Sequence, residues 1–449
     1  MAEDTALTSR NGSTQLLIRG GSLLAEHGGQ RLDVLVTGTR VAAVGAGIDP
    51  PKGARVLEAG GCVVAPGLVD LHTHMREPGD EVAETVETAA RAAALGGFTA
   101  VVAMPNTTPP IDNPSVARDV LELGRGAMAE VAVAAAITIG RKGERLSPMG
   151  ELAALGIRLF TDDGSGVQDS GLMRLALEYA GDLGVTLAEH CEDESLACGG
   201  HMHEGAWSSR LGIPGQPALA EEAMLARDIA LVRLTGSPMH FLHLSTAGSV
   251  ELVRRAKEEG LPVTAEVTPH HLSLSDEEVA SYDSNFKVNP PLRAATDVAA
   301  LRRGLAAGVI DAVATDHAPH PSETKEAPFD EAPFGMIGLE TALAVVNTAM
   351  AAADPAGLPL IDLFAACSLR PARIAGLDPA SGGRQGGPIG AGSAANIVVF
   401  DPTAEWDVDP SRLGSRSSNT PFRGRRLTGA VRHTIFEGEP VVIEGEAER

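Results

Sequence analysis

The feature that most constrains this chain is an eightfold alternation of apolar, strand-like runs with Ala- and Glu-rich stretches of helical spacing. The runs occupy residues 62–72, 98–106, 130–138, 156–163, 184–190, 239–245, 261–269 and 310–317. Alternation of this kind predicts βα units and a parallel sheet. Eight units over roughly 250–300 residues are typical of a (β/α)8, TIM-like barrel. An open doubly wound sheet is the alternative, and the lack of a GxGxxG motif in the first unit weakens its nucleotide-binding version.

The two ends of the chain have a different sequence pattern. Residues 16–65 alternate apolar and polar positions between Gly turns, which predicts short antiparallel strands. The same pattern returns in residues 381–449, after a Gly-rich connection. We therefore predict an α/β fold in which a barrel of residues 66–380 carries a small β domain built from both chain ends. Residues 1–15 are predicted to be a flexible N-terminus.

Composition excludes several classes of protein. The 449 residues include 36 Lys+Arg and 59 Asp+Glu, a net charge of −23 that would repel nucleic acid and anionic membranes. The 4 cysteines form no CxxC pair, which argues against a disulfide scaffold or a Cys-rich zinc ribbon and fits a reducing cytoplasm. No run reaches about 18 consecutive apolar residues, and the N-terminus lacks an apolar signal core. We expect a cytoplasmic protein with neither a nucleic acid nor a membrane as partner.

Polar residues suited to chemistry fall at one end of the apolar runs. In a parallel barrel the carboxyl ends of all strands meet on one face, where barrel enzymes keep their active sites. Residues far apart in the sequence are therefore expected to meet there. They are His72, His74, Asn106, Asp162, Asp163, His190, His243 and Asp316.

His72 and His74 form an HxH pair at the end of the first run. Side chains two apart on a strand share one face, so both rings can point at one ion. Alone, such a pair is a weak signal, but two further histidines and two carboxylates at strand ends are enough for a two-metal site. Imidazole and carboxylate ligands without thiolate suit Zn²⁺, with Mn²⁺ or Co²⁺ as possible substitutes.

Several motifs together give the chain a family resemblance. They are GLVDLHTHMREPG, FTDDG, AEH, HLS, TPHHL, NPPLR and ATDHAPH. With these motifs the chain resembles the class I dihydroorotases of bacteria, in the amidohydrolase superfamily, over nearly its whole length. The resemblance implies a metallohydrolase barrel that interconverts N-carbamoyl-L-aspartate and L-dihydroorotate, the ring-closing step of pyrimidine (UMP) biosynthesis, through a metal-bridging hydroxide.

The resemblance also implies a ligand set for two zinc ions per subunit. Asp163 would bridge the ions, and Asp316 would be both ligand and proton carrier. Adjacent strand residues face opposite ways, so only one of Asp162 and Asp163 should reach the metal ions. The residues alone do not show which of the two it is. Many relatives bridge their metals with a carbamylated lysine, but FTDDG contains no lysine and Lys142 lies well upstream, so none is expected here. The implied ligands are His72, His74, Asp163, His190, His243 and Asp316.

Substrate-binding residues are implied in the same way. Arg76 could form an ordinary surface ion pair, but beside a metal pair its guanidinium suits a bidentate clamp on a substrate carboxylate. The polar stretch 320–335 is predicted to be a loop above the site, open to motion. The implied substrate-binding residues are His74, Arg76, Asn106, Asn289, His320, Phe334 and Gly335. Residues assigned instead to packing or support are Cys191, His201, His203, His270, His271 and His317.

Two other functions compete with this interpretation. One is another cyclic amidohydrolase, resembling an allantoinase or hydantoinase; Arg76 and the lysine-free FTDDG motif argue against it. The other is a non-catalytic, dihydroorotase-like partner of aspartate transcarbamoylase, although every ligand position is filled here. The family resemblance also implies a homodimer and allows assembly with aspartate transcarbamoylase.

Overall fold

The computed structural model describes residues 15–24, 29–353 and 357–449. The predicted flexible N-terminus, residues 1–15, lies outside the described residues except for Gln15, which begins the strand Gln15–Leu23. Helices and parallel strands alternate through the middle of the chain, so the predicted α/β class is confirmed. Within the described ranges, no helix combines the length and apolarity needed to cross a membrane.

Eight parallel strands form the centre of the molecule, and we number them one to eight. They are Leu68–Thr73, Phe98–Ala103, Glu130–Val133, Leu159–Phe160, Thr186–Glu189, Met239–Phe241, Val263–Val267 and Ala312–Val313. Strands one to three pair as one sheet, and strands four to eight pair as another, in chain order. Two parallel bridges join the sheets, Ala135 to Phe160 and Thr73 to His317. Pairing therefore runs in a closed ring, and the carboxyl ends of the strands share one face.

Helices follow the strands on the outside of this ring, and polar residues cap several of them. The Asn113 side chain accepts hydrogen bonds from the amides of the helix that Pro114 opens, and Asp169 and Thr246 cap later helices in the same way. Such caps give acceptors to the free N–H groups of the first helical turn and so stabilise the start of each helix. The α-helices are Val86–Leu95, Pro114–Leu123, Met149–Ala153, Ser170–Leu183, Glu194–Ala197, Ala206–Leu211, Leu219–Thr235, Ala247–Glu258, Pro269–Ser273, Ala295–Ala306, Ser322–Lys325, Ala342–Ala351, Leu360–Phe364 and Arg370–Ile374.

Shorter elements complete the connections between these helices. A single π turn, Ala365–Leu369, continues the helix that ends at Phe364. Two short strands, Met202–His203 and Gly215–Gln216, pair in parallel within the insertion after strand five. The 3-10 helices are Ile139–Arg141, Asp276–Ser281, Ser284–Phe286, Pro379–Ser381 and Pro410–Arg412.

A second sheet, which we call the terminal sheet, contains strands from both ends of the chain. Its members are Gln15–Leu23, Gln30–Thr37, Arg40–Gly45, Arg55–Glu58, Val63–Pro66, Ile397–Asp407, Arg426–Phe436, Glu439–Ile443 and Glu446–Ala447. Val63–Pro66 joins the N-terminal strands to the C-terminal strands, because it pairs with Gln15–Leu23 on one side and with Ile397–Asp407 on the other. Apolar side chains of both ends, including Ile18, Val36 and Ile435, pack in one core.

The terminal sheet also packs directly against the central ring. Val398 and Phe400 from the sheet belong to the same buried apolar cluster as strand one and Phe364. The rings of Phe364 and Phe400 meet edge to face, with centroids 6.0 Å apart. This shared core fixes the position of the C-terminal part of the chain relative to the strand ends.

Candidate metal centre

The histidine pair of strand one points into the open end of the ring. His72 lies in Leu68–Thr73 and His74 directly follows it, so strand alternation puts both rings on one side, with centroids 5.1 Å apart. His72 Nε2 is 3.3 Å from Asp163 Oδ2, and His74 Nε2 is 3.6 Å from the same oxygen. All three side chains are buried. The three atoms form a group that could hold one metal ion.

A second group of three ligand atoms lies on the other side of Asp163. His190 directly follows strand five and His243 lies just beyond strand six. The ring nitrogens His190 Nδ1 and His243 Nε2 are 3.0 Å apart. Asp163 Oδ1 is 3.8 Å from the first nitrogen and 3.6 Å from the second. The two carboxylate oxygens of Asp163 therefore face different groups, which is the geometry of a bridging ligand.

Asp162 is occupied elsewhere. Its carboxylate accepts a hydrogen bond from the backbone N–H of Thr138 at 3.0 Å and another from the Thr138 hydroxyl. These bonds tie the loop after strand four to the loop after strand three. Of the two neighbouring aspartates, the structure thus brings Asp163 to the histidines and turns Asp162 away from them.

Asp316 closes the first group from the end of strand eight. Its Oδ1 lies 3.0 Å from His74 Nε2 and 3.6 Å from His72 Nε2. Its backbone is left-handed, with φ 46°, a strained conformation that is common at functional positions. Burial acts to raise the pKa of Asp316, but the imidazoles of His72 and His74 outweigh it and hold that pKa below its usual range. The carboxylate is therefore ionised at neutral pH.

A buried carboxylate orients His72. Glu266 Oε1 lies 3.3 Å from His72 Nδ1, and Glu266 Oε2 lies 3.1 Å from His240 Nε2. Burial raises the pKa of Glu266, but the two imidazoles outweigh it and lower that pKa to about 2. An ionised acceptor at Nδ1 leaves His72 Nε2 facing Asp163 as a possible ligand atom.

The ring nitrogens that face Asp163 fit metal ligands. His72 Nε2 is buried and has no hydrogen-bond partner in the part of the chain that the structure describes. His190 Nδ1 and His243 Nε2 face each other and the same carboxylate oxygen. Buried polar atoms are rarely left without partners, and a cation between these atoms would satisfy them together. Nitrogen and oxygen donors without sulfur suit Zn²⁺, Mn²⁺ or Co²⁺.

Arg76 lies beside this centre without a direct ion-pair partner among the described residues. Its backbone is left-handed, and its Nε donates to the Pro319 carbonyl at 3.1 Å. Burial lowers the pKa of Arg76, and the carboxylates of Asp80, Asp316, Asp163 and Glu84 offset this only in part. His320 Nε2 is 3.3 Å from Arg76 Nη2 but only 2.8 Å from the Phe334 carbonyl, so we assign its proton to the bond with Phe334. The guanidinium thus keeps donors for an anion.

Two asparagines stand on opposite sides of the histidines. Asn106 Oδ1 is 2.9 Å from His74 Nδ1, so it orients that ring from the side opposite the nitrogen that faces Asp163. Asn289 Nδ2 donates to Glu192 Oε2 at 2.7 Å, and the same carboxylate oxygen lies 3.4 Å from His190 Nε2. In the described structure Asn289 Oδ1 is buried without a donor. It is therefore an open acceptor beside the second ligand group.

Phe334 and Gly335 form a tight turn next to His320. The Gly335 N–H donates to the Lys287 carbonyl at 2.9 Å, and the Phe334 carbonyl accepts from His320. Gly335 has φ 129°, and a Cβ there would come within 2.7 Å of the Ala318 Cβ. Only glycine fits this position. Both peptide groups just named are already bonded within the chain.

Two of the residues that the sequence assigned to packing or support, His271 and His317, bond to groups outside the metal centre. His271 Nε2 bonds to the Pro290 carbonyl at 3.0 Å. His317 Nδ1 accepts from the Gly338 N–H at 3.1 Å, and its Nε2 is 3.4 Å from Glu84 Oε2. Those that lie outside both ligand groups are Cys191, His201, His203, His270, His271 and His317.

Sequence reasoning missed the carboxylates that orient the histidines. Glu266 stands inside the apolar seventh run, and an acidic residue that such a run must bury is a signal for a partner. Glu192 stands two residues after His190 but in a loop, where no pattern distinguishes it from a surface residue. Their roles depend on contacts between different strands.

Comparisons with known proteins agree with this geometry. Residues 61–249 match the family model described as Dihydro-orotase-like. The dihydroorotase of Pelotomaculum thermopropionicum is 48% identical over 430 residues, which cover 95% of this chain and 98% of that protein. The dihydroorotase of Streptomyces coelicolor is 47% identical over 436 residues, with coverage of 96% and 99%.

Solved structures show the same architecture. The L-hydantoinase (dihydropyrimidinase) of Arthrobacter aurescens has a TM-score of 0.86 at 25% identity and covers 97% of this chain and 98% of its own. The dihydropyrimidinase of Brevibacillus agri, at 23% identity, shares the fold with a TM-score of 0.83 over 97% and 96% of the two chains. Fold and ligand groups together define a metal-binding hydrolase of the amidohydrolase class. Within that class, the chain belongs to the dihydroorotase family.

The positions of the two aspartates lead to a prediction about metal content. Asp163→Ala removes an oxygen from both ligand groups, so we expect the variant to lose the second metal ion and nearly all activity. Asp162→Ala should keep at least part of its metal, because that carboxylate bonds to Thr138 instead. Elemental analysis of both purified variants measures the difference. Equal loss in the two variants, or loss in Asp162→Ala alone, would contradict the assignment.

Proposed function

We propose that this member of the dihydroorotase family catalyses the reversible cyclisation of N-carbamoyl-L-aspartate to L-dihydroorotate and water in pyrimidine synthesis. The observation that carries the proposal is the position of Arg76 beside two ligand groups that share Asp163. A substrate of this reaction has an amide carbon to be attacked or formed and a carboxylate to be held. The site offers one feature for each.

The proposed cofactor is a pair of zinc ions in each subunit. His72, His74 and Asp316 would hold one ion, His190 and His243 the other, and Asp163 would bridge them. Bound there, the ions would polarise the amide carbonyl and lower the pKa of a bound water. Asp163 lies between the two groups and the FTDDG motif contains no lysine, so the proposal needs no carbamylated lysine.

The chain's own residues would hold the substrate in place. The guanidinium of Arg76 would clamp the carboxylate, together with Asn106 and His320. The open acceptor Asn289 Oδ1 suits an N–H of the substrate ring. The Phe334–Gly335 turn would lie against the ring. Alignment of the reacting atoms before the reaction is worth several kcal/mol in effective concentration.

Asp316 would move the proton. Its ionised carboxylate can accept a proton from the attacking water during hydrolysis and pass it to the leaving nitrogen. Ring closure runs the same transfers in reverse and needs the protonated acid at the start. Closure should therefore be favoured at lower pH and hydrolysis at higher pH. The net reaction agrees, because closure consumes a carboxylate and a proton.

Hydantoinase activity is the second candidate, since the structurally similar protein of Arthrobacter aurescens is an L-hydantoinase (dihydropyrimidinase). A hydantoin or dihydrouracil ring has no carboxylate. Such a substrate would leave the buried Arg76 guanidinium without a direct ion-pair partner, which is unfavourable for a desolvated cation. The environment of Arg76 thus favours a dihydroorotate substrate.

We extend the proposal to the domains and the assembly. The closed ring of strands one to eight supports a (β/α)8 barrel over residues 66–380, and the terminal sheet supports a small β domain from residues 16–65 and 381–449. The substrate is a small molecule. A homodimer, assembly with aspartate transcarbamoylase and a cytoplasmic location stay predictions.

The direct test of function compares substrates on one preparation. We expect zinc-loaded protein to interconvert N-carbamoyl-L-aspartate and L-dihydroorotate, to lose this activity after chelation, and to recover it with zinc. Dihydrouracil, hydantoin and allantoin should be poor substrates. Faster turnover of any of these three than of dihydroorotate would refute the proposal, as would activity that survives complete metal removal.

Arg76→Lys tests the carboxylate clamp. Lysine keeps the positive charge but cannot present two parallel donors, so the variant should retain its metal while kcat/KM falls. We expect a loss of about 2–4 kcal/mol in transition-state binding, the scale of a broken charge-assisted contact. Steady-state kinetics and metal analysis together check this. Unchanged kinetics would return Arg76 to a structural role.

Asp316→Asn tests the proton transfer. An amide cannot accept and return the proton, so both reaction directions should stop even when the variant is fully loaded with zinc. The measurement is turnover in each direction after metal occupancy has been verified. Substantial turnover at full occupancy would leave Asp316 as a metal ligand only.

A further inference from the structure

A segment from the far end of the chain lies across the face that carries the metal centre. Residues 414–420, which we call the crossing segment, connect two strands of the terminal sheet, Ile397–Asp407 and Arg426–Phe436. The Ser417 hydroxyl donates to the Ala83 carbonyl at 2.7 Å, and the Gly414 N–H donates to Glu340 at 2.8 Å. The segment is thus bonded to loops around the central ring as well as to its own sheet.

Asn419 is the residue of this segment that reaches the substrate side. It is 3% exposed. Its Oδ1 accepts from the His320 N–H at 3.1 Å, and its Nδ2 donates to the carbonyls of Ala318 at 3.0 Å and Gly335 at 3.2 Å. Its own carbonyl accepts from the Ile337 N–H at 3.1 Å. One buried amide therefore ties the chain after strand eight to the turn that contains Gly335.

The Gly335 carbonyl has a second buried donor, Lys325, at the end of the helix Ser322–Lys325. Lys325 is 6% exposed, and its Nζ lies 3.0 Å from the Gly335 carbonyl and 2.9 Å from the Pro333 carbonyl. A carbonyl oxygen has two lone pairs, and both are engaged here by Lys325 and Asn419. The peptide plane after Gly335 is consequently held from two directions, and the position of Phe334 is held with it.

We propose that Asn419 is a positioning residue for substrate binding: it holds His320 and Gly335 in the relative position that the substrate requires. This inference rests on the proposed function, because His320, Phe334 and Gly335 are the proposed substrate contacts. Without the amide, the His320 N–H and the Ala318 carbonyl lose this bond, and the Gly335 carbonyl keeps only the bond from Lys325, so the turn can shift relative to Arg76. Small displacements of residues that hold a substrate weaken binding strongly.

The chain provides a matched control in Asn396. This asparagine is 6% exposed and also bonds to backbone at both ends of its amide, donating to the Arg384 carbonyl at 3.0 Å and accepting from the Glu437 N–H at 2.8 Å. It lies in the part of the chain that enters the terminal sheet and bonds to no proposed substrate contact. Its loss should cost stability without affecting substrate affinity.

The test compares Asn419→Ala and Asn396→Ala in the full-length, zinc-loaded protein. We expect Asn419→Ala to raise the KM for L-dihydroorotate about tenfold or more, the scale of one or two lost hydrogen bonds, with a much smaller change in kcat and unchanged metal content. Asn396→Ala should lower the melting temperature comparably while its KM stays near the wild-type value. A KM increase in Asn419→Ala no larger than in Asn396→Ala would overturn the proposal.

Hydrogen–deuterium exchange gives a readout that does not depend on the reaction. In Asn419→Ala the His320 amide loses its acceptor, so peptides that span residues 316–337 should exchange faster than in wild type and in Asn396→Ala. Unchanged exchange there would overturn the positioning role even if the protein were active. If the wild-type protein does not turn over dihydroorotate but Asn419→Ala shows the faster exchange, only the proposed function is contradicted. If the alanine variant does not fold, the milder variant Asn419→Ser is compared with wild type and Asn396→Ala in the same way.

Discussion

The rest of the structure depends on the two-sided contact of one carboxylate, Asp163. Each of its oxygens faces a pair of imidazoles, at 3.3 and 3.6 Å on one side and at 3.8 and 3.6 Å on the other. These side chains come from strands one, four, five and six, so they can meet only if the ring of strands closes in the observed order. Burying them is unfavourable unless each is paired or binds a cation.

Around this contact, a layer of buried carboxylates orients several of the histidine rings. Glu266 fixes His72, Glu192 lies against His190, and Glu84 lies against His317 beside Asp316. The crossing segment reaches the same layer from the other end of the sequence. The terminal sheet therefore contributes to the substrate side of the site through Asn419, although its own strands lie elsewhere.

Much of the centre could be predicted from the sequence, since strand periodicity determines which side chains share a face. The spacing of His72 and His74 is of this kind, and so is the convergence of residues at strand ends. Asp162 and Asp163 were not separable, because strand four is only Leu159–Phe160 and both aspartates lie in the loop beyond it, where the bonds of Thr138 decide their directions. The role of Asn419 could not be predicted from the sequence for a similar reason. Its partners lie far away in the sequence, and no local pattern marks an asparagine that bonds to three distant backbone groups.

The central claim is that Asp163 bridges two metal ions. Anomalous diffraction from crystals of the zinc-loaded protein, collected on either side of the zinc edge, tests it most directly. We expect two peaks, one among His72, His74, Asp316 and Asp163 Oδ2, the other among His190, His243 and Asp163 Oδ1. A single peak in fully loaded protein, or a peak coordinated by Asp162, would contradict it.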